Sequence, residues 1–293
     1  MEIQSTDNSR KNIVKKHFSN HSEDWDSLYD DSDKRESFTK FELKKRKENV
    51  FDLISKQHSM VNGNALDLGC GAGHYLTELT DQGFNVVGAD ISNEMLLVSS
   101  SKLSYLSHED KKLVCADCYN VPLPANYFDV IICIGVLEYL DKETSALTEI
   151  KRLLKPDGDV IISVPNFFKL RNLVNPYYYL IRIWTYLFVK KSAGTHKNDE
   201  YNKNVTIDFG KSTVSRYSLT KINKIVKNSG FRITEVRSYC FGPFSIWKKR
   251  LFSLEKAISI SNFFESLLDY KAFRILKFFA NRWVLHIKPK VDG

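Results

Sequence analysis

The segment NALDLGCGAGHYL, residues 64–76, combines the pattern of a buried strand, a glycine-rich turn and the start of a helix. Such a junction usually binds a nucleotide-containing ligand, because the backbone of a glycine turn can approach the ligand closely. Gly69, Gly71 and Gly73 occupy alternate positions, whereas the dinucleotide fingerprint G-x-G-x-x-G would place its third glycine at His74. The spacing therefore argues against a dinucleotide.

The carboxylate of Asp67 lies just before this turn. A carboxylate at this place repels a diphosphate and attracts an ammonium group. A ligand that carries an amino-acid head, a ribose and an adenine satisfies each part of the site. The residues thus indicate S-adenosylmethionine as the ligand.

The composition is that of a globular chain: 293 residues, of which 43% are hydrophobic, are ample for a packed core. The net charge of +8 suits nucleic acid, an anionic membrane surface or an acidic substrate without choosing among them. Five cysteines, an odd number, and a polar N-terminal segment favour a reduced, cytoplasmic protein. Cys115 and Cys118 form a lone C-x-x-C, so no metal site is expected.

Residues 1–60 have helical, polar patterns and are predicted to form an N-terminal helical cap. From residue 61 to 293 short apolar runs alternate with helices, which predicts a parallel sheet covered on both faces. Two segments break the alternation and are interpreted as helical insertions, at 167–215 and 241–281. The seven predicted strands are 65–68, 85–89, 112–115, 127–133, 159–164, 231–239 and 282–290.

Five stretches carry a family resemblance: LDLGCGAG, VVGADIS, CADCYNVPLP, YFDVIICIGVLEYL and LLKPDGDVIISVPN. Because these stretches occur in this order, the chain resembles a class I S-adenosylmethionine-dependent methyltransferase, similar to the ubiquinone- and tetrapyrrole-type enzymes. The resemblance implies an α/β, Rossmann-like fold with a seven-stranded, mostly parallel sheet and an antiparallel last strand. It also implies a cofactor site that contains Asp67, Gly69, Cys70, Gly71, Gly73, Asp90, Ile91, Asp117, Cys118 and Cys133.

Two of these positions have a second interpretation. Asp90 ends the second strand about 20 residues past the glycine turn, where a carboxylate can accept both ribose hydroxyl protons, but it could instead cap the following helix. Ser92 is the better cap for that helix. Asp117 could receive the adenine amino group or be an ordinary solvated loop residue.

The catalytic candidates are Tyr29, Glu138 and Tyr139, with His21 as a further histidine nearby. The sulfonium already activates the methyl group, so the protein must align the acceptor and remove a proton where the nucleophile needs it. The resemblance assigns Tyr29 to a helix that covers the cofactor. The metal ligands of ubiquinone-type enzymes are replaced at Gly135 and Tyr139 here, which speaks against a metal-assisted mechanism.

The insertions are rich in aromatic and basic residues, which suits binding to an anionic lipid surface, although they could equally form a lid. The leading hypothesis is an O- or N-methyltransferase for an apolar or lipid-linked small molecule, peripheral to the inner face of a membrane. The alternative is a soluble metabolite such as an amino-sugar nucleotide. A non-catalytic cofactor-binding scaffold is a weaker alternative, and no nucleic-acid partner is expected.

Overall fold

A computed structural model gives the fold, and it describes residues 3–29, 37–57, 63–104, 112–173, 208–209, 212–246 and 249–290. The helices are α1 (Ile3–Asn20), α2 (Ser22–Ser27), α3 (Phe38–Gln57), α4 (His74–Asp81), α5 (Asn93–Lys102), α6 (Glu143–Leu153), α7 (Leu170–Leu173), α8 (Leu219–Asn228) and α9 (Leu254–Leu267). Two 3-10 helices span Leu137–Tyr139 and Lys271–Phe279.

The strands are β1 (Asn64–Leu68), β2 (Asn85–Asp90), β3 (Lys112–Cys115), β4 (Phe128–Ile134), β5 (Leu154–Pro165), β6 (Asp208–Phe209), β7 (Ser212–Thr213), β8 (Phe231–Tyr239), β9 (Ser245–Ile246), β10 (Lys249–Arg250) and β11 (Arg282–Pro289).

Seven of these strands form one sheet in the order β3-β2-β1-β4-β5-β11-β8. All neighbours pair in parallel except β11, which is antiparallel to both β5 and β8. The structure thus confirms the predicted Rossmann-like sheet with its antiparallel last strand. The predicted strand limits agree with the observed ones to within two residues, apart from the start of β5.

The start of β5 corrects a prediction. The Pro-Asp-Gly sequence at 156–158 predicts a turn followed by a strand at Asp159, whereas β5 begins at Leu154. Leu154 pairs with Phe128, and Asp159 then pairs with Val130, so the residues between them bulge out of the ladder. Pairing on both sides of the bulge keeps the turn sequence inside one strand.

The sheet buries a separate hydrophobic cluster on each face, as strand alternation requires. In β4, Ile131 and Cys133 belong to one cluster, while Val130, Ile132 and Ile134 belong to the other. Helices α6 and α8 cover the first cluster, and α3 and α4 cover the second. The core is therefore doubly wound.

The N-terminal helices are held against the main sheet. The side chains of Val50, Leu53 and Ile54 on α3 are fully buried in the second cluster. Helix α1 lies over the carboxyl ends of the parallel strands, where the Lys11 ammonium lies 2.5 Å from the Asp117 carboxylate and Ser19 bonds Ser92 at 3.0 Å. These residues are helical as predicted, and they cover the carboxyl ends of the strands, where the glycine turn lies.

Only part of the insertions falls within the described residues. Residues 174–207, which hold most of the aromatic and basic run of the first insertion, lie outside them. The second insertion contains α9 and the 3-10 helix Lys271–Phe279, as predicted, together with an unpredicted hairpin of β9 and β10. Within the described part of the chain, no helix combines the length and the hydropathy that a membrane span requires.

Candidate active site

A cavity of about 480 Å³ lies at the carboxyl ends of β1, β2 and β4, beneath the N-terminal helices. At this point the strand order reverses, since β2 lies on one side of β1 and β4 on the other. The chain leaves β1 and β4 in opposite directions, which opens a crevice that ligands of such sheets commonly occupy. The topology therefore places the glycine turn at the floor of the cavity.

The three glycines of the turn all have left-handed backbones, with φ of +81° at Gly69, +51° at Gly71 and +80° at Gly73. A Cβ at Gly69 would lie 2.2 Å from Val136, and one at Gly73 would lie 2.4 Å from Ser99. A Cβ at Gly71 would meet nothing nearer than the Met95 sulfur at 4.0 Å. Gly71 thus exposes its backbone to the cavity, whereas the other two also allow close packing.

Asp67 is 1% exposed, and its Oδ2 has no hydrogen-bond partner among the described residues. Burial, and after it the nearby Asp90 carboxylate, raise the pKa of this carboxyl to about 8, while Arg46 opposes the shift. A buried, unpartnered carboxylate is costly unless a cation satisfies it. The floor of the cavity thus offers a partner for an ammonium group.

Asp90 is fixed by backbone donors. Its Oδ2 accepts the Gly71 N–H at 2.9 Å, and its Oδ1 accepts the Ser92 N–H at 2.9 Å. Ser92, and not Asp90, caps α5 by accepting the Met95 N–H at 3.2 Å. The alternative role of Asp90 as helix cap is therefore wrong, and its carboxylate lines the cavity.

The far end of the cavity is formed by the segment after β3. Asp117 accepts the Tyr119 N–H at 3.1 Å and forms the ion pair with Lys11 of α1. Ile91 and Cys118 line the wall beside it, and burial raises the pKa of the Cys118 thiol to about 12. No group of three or more potential metal ligands occurs among the described residues.

The opposite half of the cavity is lined by aromatic side chains and by a buried charge network. Glu138 is 2% exposed, and its Oε1 accepts from Arg282 at 3.0 Å, while its Oε2 has no partner among the described residues. Arg282 also donates to Glu42 of α3 at 2.6 Å. The aromatic residues that line the cavity are Phe18, Trp25, Tyr29, Phe38, Tyr75, Tyr119 and Tyr139.

Tyr29, which follows α2, and Tyr139, in the 3-10 helix after β4, both line this cavity. The Tyr29 ring stacks on His74 with centroids 4.1 Å apart, and its hydroxyl accepts from Arg46. The Tyr139 ring makes an edge contact with Phe18 of α1 at 5.1 Å. Burial raises the pKa of Tyr139 above its ordinary value, so its phenol stays protonated near neutral pH.

Three sequence candidates lie away from the cavity wall. Gly73 is the N-cap of α4 and packs on Ser99 of α5, so it shapes the turn from behind. Cys133 is fully buried within the first hydrophobic cluster, because alternation along β4 turns it into the core. His21 is also absent from the lining residues. All the other candidates line the cavity: Tyr29, Asp67, Gly69, Cys70, Gly71, Asp90, Ile91, Asp117, Cys118, Glu138 and Tyr139.

The sequence reasoning missed Arg46, Glu42 and Arg282. Arg46 falls three residues after Leu43 and four before Val50, so it interrupts the buried face of α3, and it is only 7% exposed. A charged residue on an apolar helix face is the available signal for such a site. Arg282 begins a strand and gives no comparable signal.

A methyltransferase domain model matches residues 66–162. The demethylmenaquinone methyltransferase of Geobacillus sp. (strain WCH70) is 27% identical over 197 residues, which are 65% of this chain and 80% of that protein. The ubiquinone biosynthesis O-methyltransferase of Dechloromonas aromatica (strain RCB) is 29% identical over 148 residues, which are 50% of this chain and 60% of that protein.

Among solved structures, the chain is similar to magnesium protoporphyrin IX methyltransferase from Synechocystis PCC 6803 with bound S-adenosylhomocysteine. The TM-score is 0.59 at 16% identity, over 96% of this chain and 100% of that chain. At this identity the likeness supports the fold, and it extends over the N-terminal helices as well as the sheet.

Replacing Gly71 and Gly73 by alanine should distinguish the glycine that contributes to ligand binding from the one that contributes to packing. Gly71→Ala is expected to weaken S-adenosylhomocysteine binding at least roughly tenfold, because the methyl group enters the cavity, at a stability cost of about 1–2 kcal/mol for the left-handed backbone. Gly73→Ala should lose roughly 2–4 kcal/mol, since contact with Ser99 adds to that cost. Urea unfolding and titration calorimetry measure the two effects.

The double variant Gly73→Ala with Ser99→Gly is the control, because it removes the side chain that the new methyl group would meet. Compared with Ser99→Gly alone, it should recover most of the packing part of the loss. Equal stability of the Gly71 and Gly73 variants, or unchanged ligand affinity of Gly71→Ala, would contradict this division of roles.

Proposed function

Because the chain is an S-adenosylmethionine-dependent methyltransferase of small-molecule type, we propose that it transfers the methyl group to oxygen or nitrogen of an apolar or lipid-linked acceptor. The observation that carries this proposal is the aromatic lining of the cavity, to which Phe18, Trp25 and Phe38 contribute. The names of the relatives, which refer to menaquinone and ubiquinone, agree with an apolar ring system as acceptor.

We assign the cofactor to the half of the cavity with the glycine turn. The amino group would bind the unpartnered Oδ2 of Asp67, and the methionine chain would lie against the backbone of Gly69, Cys70 and Gly71. Each Asp90 oxygen accepts one backbone N–H and keeps a lone pair for a ribose hydroxyl.

The adenine would lie between the segments that follow β2 and β3, beside Ile91, Asp117 and Cys118. Asp117 can accept a hydrogen bond from the adenine amino group, and Lys11 of α1 closes this end of the cavity. Helix α1 thereby takes part in enclosing the cofactor.

Arg46 completes the site for the amino-acid head of the cofactor. Its guanidinium is close enough to Gly135 that a Cβ there would lie 3.0 Å from Nη1, and its charge acts on Asp67. A buried arginine beside a buried carboxylate matches the two charges of a free amino acid. We therefore assign the cofactor carboxylate to Arg46 and the ammonium to Asp67.

The proton balance of binding tests the role of Asp67. With a pKa of about 8, the free carboxyl is protonated below that pH, and a bound ammonium favours the carboxylate. Binding of S-adenosylhomocysteine at pH 6.5 should release close to one proton, and affinity should rise with pH towards 8. Calorimetry in buffers of different ionisation enthalpy measures the released proton.

Asp67→Asn should bind at least roughly tenfold more weakly and release no proton, because the amide cannot ionise. Asp141→Asn is the matched control, since Asp141 also lines the cavity but pairs with Arg10. Proton release by the Asp67 variant equal to that of the wild type would remove Asp67 from the ammonium site.

Glu138 is the group that we assign to the acceptor proton. Arg282 fixes one carboxylate oxygen and leaves the other, Oε2, without a partner among the described residues. That oxygen can accept a hydrogen bond from an acceptor hydroxyl or amine and take its proton as the methyl group is transferred. Tyr139, which stays protonated, and Tyr29, held by Arg46 and His74, are assigned to positioning the acceptor.

Glu138→Gln should lower kcat by roughly 10²- to 10⁴-fold for a hydroxyl acceptor while the affinity for the cofactor stays unchanged. The loss should be largest at neutral pH and diminish at alkaline pH, where solvent removes the proton. Glu42→Gln is the control because it removes the other carboxylate on Arg282 and leaves Oε2 of Glu138 in place. Equal losses in both variants would reduce Glu138 to a structural partner of Arg282.

The acceptor class is tested with methyl-tritiated cofactor, purified protein and a crude lysate that includes membranes. Label is counted in the organic-extractable, small aqueous and macromolecular fractions, with Glu138→Gln as the background. We expect label in the organic phase because the cavity wall is aromatic. Label confined to the macromolecular fraction would contradict a small-molecule acceptor.

One observation favours a second candidate, a soluble metabolite such as an amino-sugar nucleotide. Lys169 and Arg250 line the cavity together with Arg282, and such groups bind a diphosphate. Label confined to the small aqueous fraction would support this candidate against the apolar acceptor.

A further inference from the structure

The second insertion carries a 3-10 helix, Lys271–Phe279, with the sequence KAFRILKFF. A 3-10 helix has three residues per turn, so residues three apart lie in one column along its surface. The sequence has the same period. One column is basic (Lys271, Arg274, Lys277), and the two others are apolar (Ala272, Ile275, Phe278 and Phe273, Leu276, Phe279).

One apolar column faces solvent. Ile275 is 64% exposed and Phe278 is 42% exposed, whereas in the other column only Phe273 is exposed, at 44%, and Leu276 and Phe279 are partly buried. The basic column lies beside it, with Lys271 and Arg274 exposed and the Lys277 ammonium 5.2 Å from the Phe278 ring centroid. The helix thus presents an exposed apolar stripe with positive charges along its side.

The 3-10 helix is fixed to the sheet by side-chain donors to its last carbonyls. Trp283 Nε1 donates to the Lys277 carbonyl at 2.8 Å, and Asn166 Nδ2 donates to the Phe278 carbonyl at 2.7 Å. Asn166 is fully buried at the end of β5, and Trp283 is buried in β11. The exposed stripe therefore has a defined place beside the end of β5 and the start of β11.

Further exposed apolar side chains belong to the same insertion. Helix α9 buries Ala257 and Ser261 and leaves Phe263 59% exposed. Leu251 and Phe252, before α9, and Tyr270, after it, are exposed as well. Between residues 249 and 279 the sequence has six basic residues and three acidic ones, and one of the acids, Glu265, accepts the Cys240 N–H and lies 3.6 Å from Lys45.

This surface continues to the cavity. Arg250 lines the cavity and is itself exposed, and Leu251 and Phe252 follow it directly in the chain. On a separate segment, Lys169 lines the cavity next to Phe168, which is 48% exposed. Exposed apolar residues of the second insertion thus directly follow a residue of the cavity wall in the chain.

We propose that the 3-10 helix Lys271–Phe279, with Phe252 and Phe263, forms an interfacial face that binds the surface of an anionic phospholipid bilayer. Exposed apolar side chains enter the boundary of the acyl chains, and adjacent lysine and arginine residues bind the anionic headgroups. The inference rests on the proposed function in one respect: a bilayer is the reservoir from which an apolar acceptor would reach the cavity.

The test uses flotation of the full chain with vesicles of equimolar phosphatidylglycerol and phosphatidylcholine, and with phosphatidylcholine alone. The wild type should float with the anionic vesicles, bind the neutral ones roughly tenfold more weakly, and dissociate as salt is raised. Two paired variants remove the two components: Ile275→Ser with Phe278→Ser, and Lys271→Glu with Arg274→Glu. Each should weaken binding at least roughly tenfold.

Matched controls lie near the opposite edge of the sheet. Leu97→Ser removes an exposed leucine of α5, and Lys112→Glu reverses an exposed charge of β3. Both should float as the wild type does. Unchanged affinity for S-adenosylhomocysteine in every variant shows that the fold is intact, since none of these residues lines the cavity.

Equal binding to both vesicle types, or flotation of the paired variants at wild-type level, would overturn the proposal. If the wild type does not bind vesicles but self-associates, and if Ile275→Ser with Phe278→Ser abolishes the self-association, then this face binds a second copy of the chain and not a bilayer. Methyl transfer to an organic-extractable acceptor in detergent is measured separately. Methyl transfer without vesicle binding would support the proposed function and contradict the interfacial face. Vesicle binding without methyl transfer would support the interfacial face and contradict the proposed function.

Discussion

The acceptor half of the cavity depends on one ion network built around the buried Glu138. Glu42 comes from α3, Glu138 from the 3-10 helix after β4, and Arg282 from the first residue of β11. Charges in such a place are tolerated only when they are paired, because removing one partner leaves another charge without compensation. The network therefore fixes the N-terminal helices, the end of a central strand and the start of β11 relative to one another. The cavity exists between these three segments, so its shape follows from their pairing.

The two halves of the cavity use burial in different ways. In the glycine-turn half, Asp67 retains an unpartnered oxygen and a raised pKa, so this half holds a carboxyl group that ionises when a cation binds. In the acceptor half, Glu138 has one oxygen fixed by Arg282 and one directed to no protein donor among the described residues. The first arrangement suits binding of a charged group, and the second suits hydrogen bonding and proton removal.

The order of strands and helices was predictable because short apolar runs, turn glycines and helix caps are local features. Ser92 as a cap and β8 at 231–239 are examples. The roles of the three glycines were not separable in this way, because Val136 and Ser99, which distinguish Gly69 and Gly73 from Gly71, come from other parts of the chain. For the same reason the sequence around Arg282 did not indicate its role in the cavity. Cys133 was predicted to line the cavity because its sequence neighbours do, but its side chain faces the core. The assignment of Gly73 to packing required three-dimensional neighbours, as did the charge network.

Strand β11 lies between β5 and β8, although it follows every other strand in the sequence. During synthesis, β5 therefore has an open hydrogen-bonding edge until residues 282–289 have left the ribosome, and β8 has no place in the sheet before then. The same residues supply Arg282, which closes the charge network, and Trp283, which holds the 3-10 helix. The completed sheet, the acceptor half of the cavity and the position of the exposed apolar stripe thus all depend on the pairing of β11.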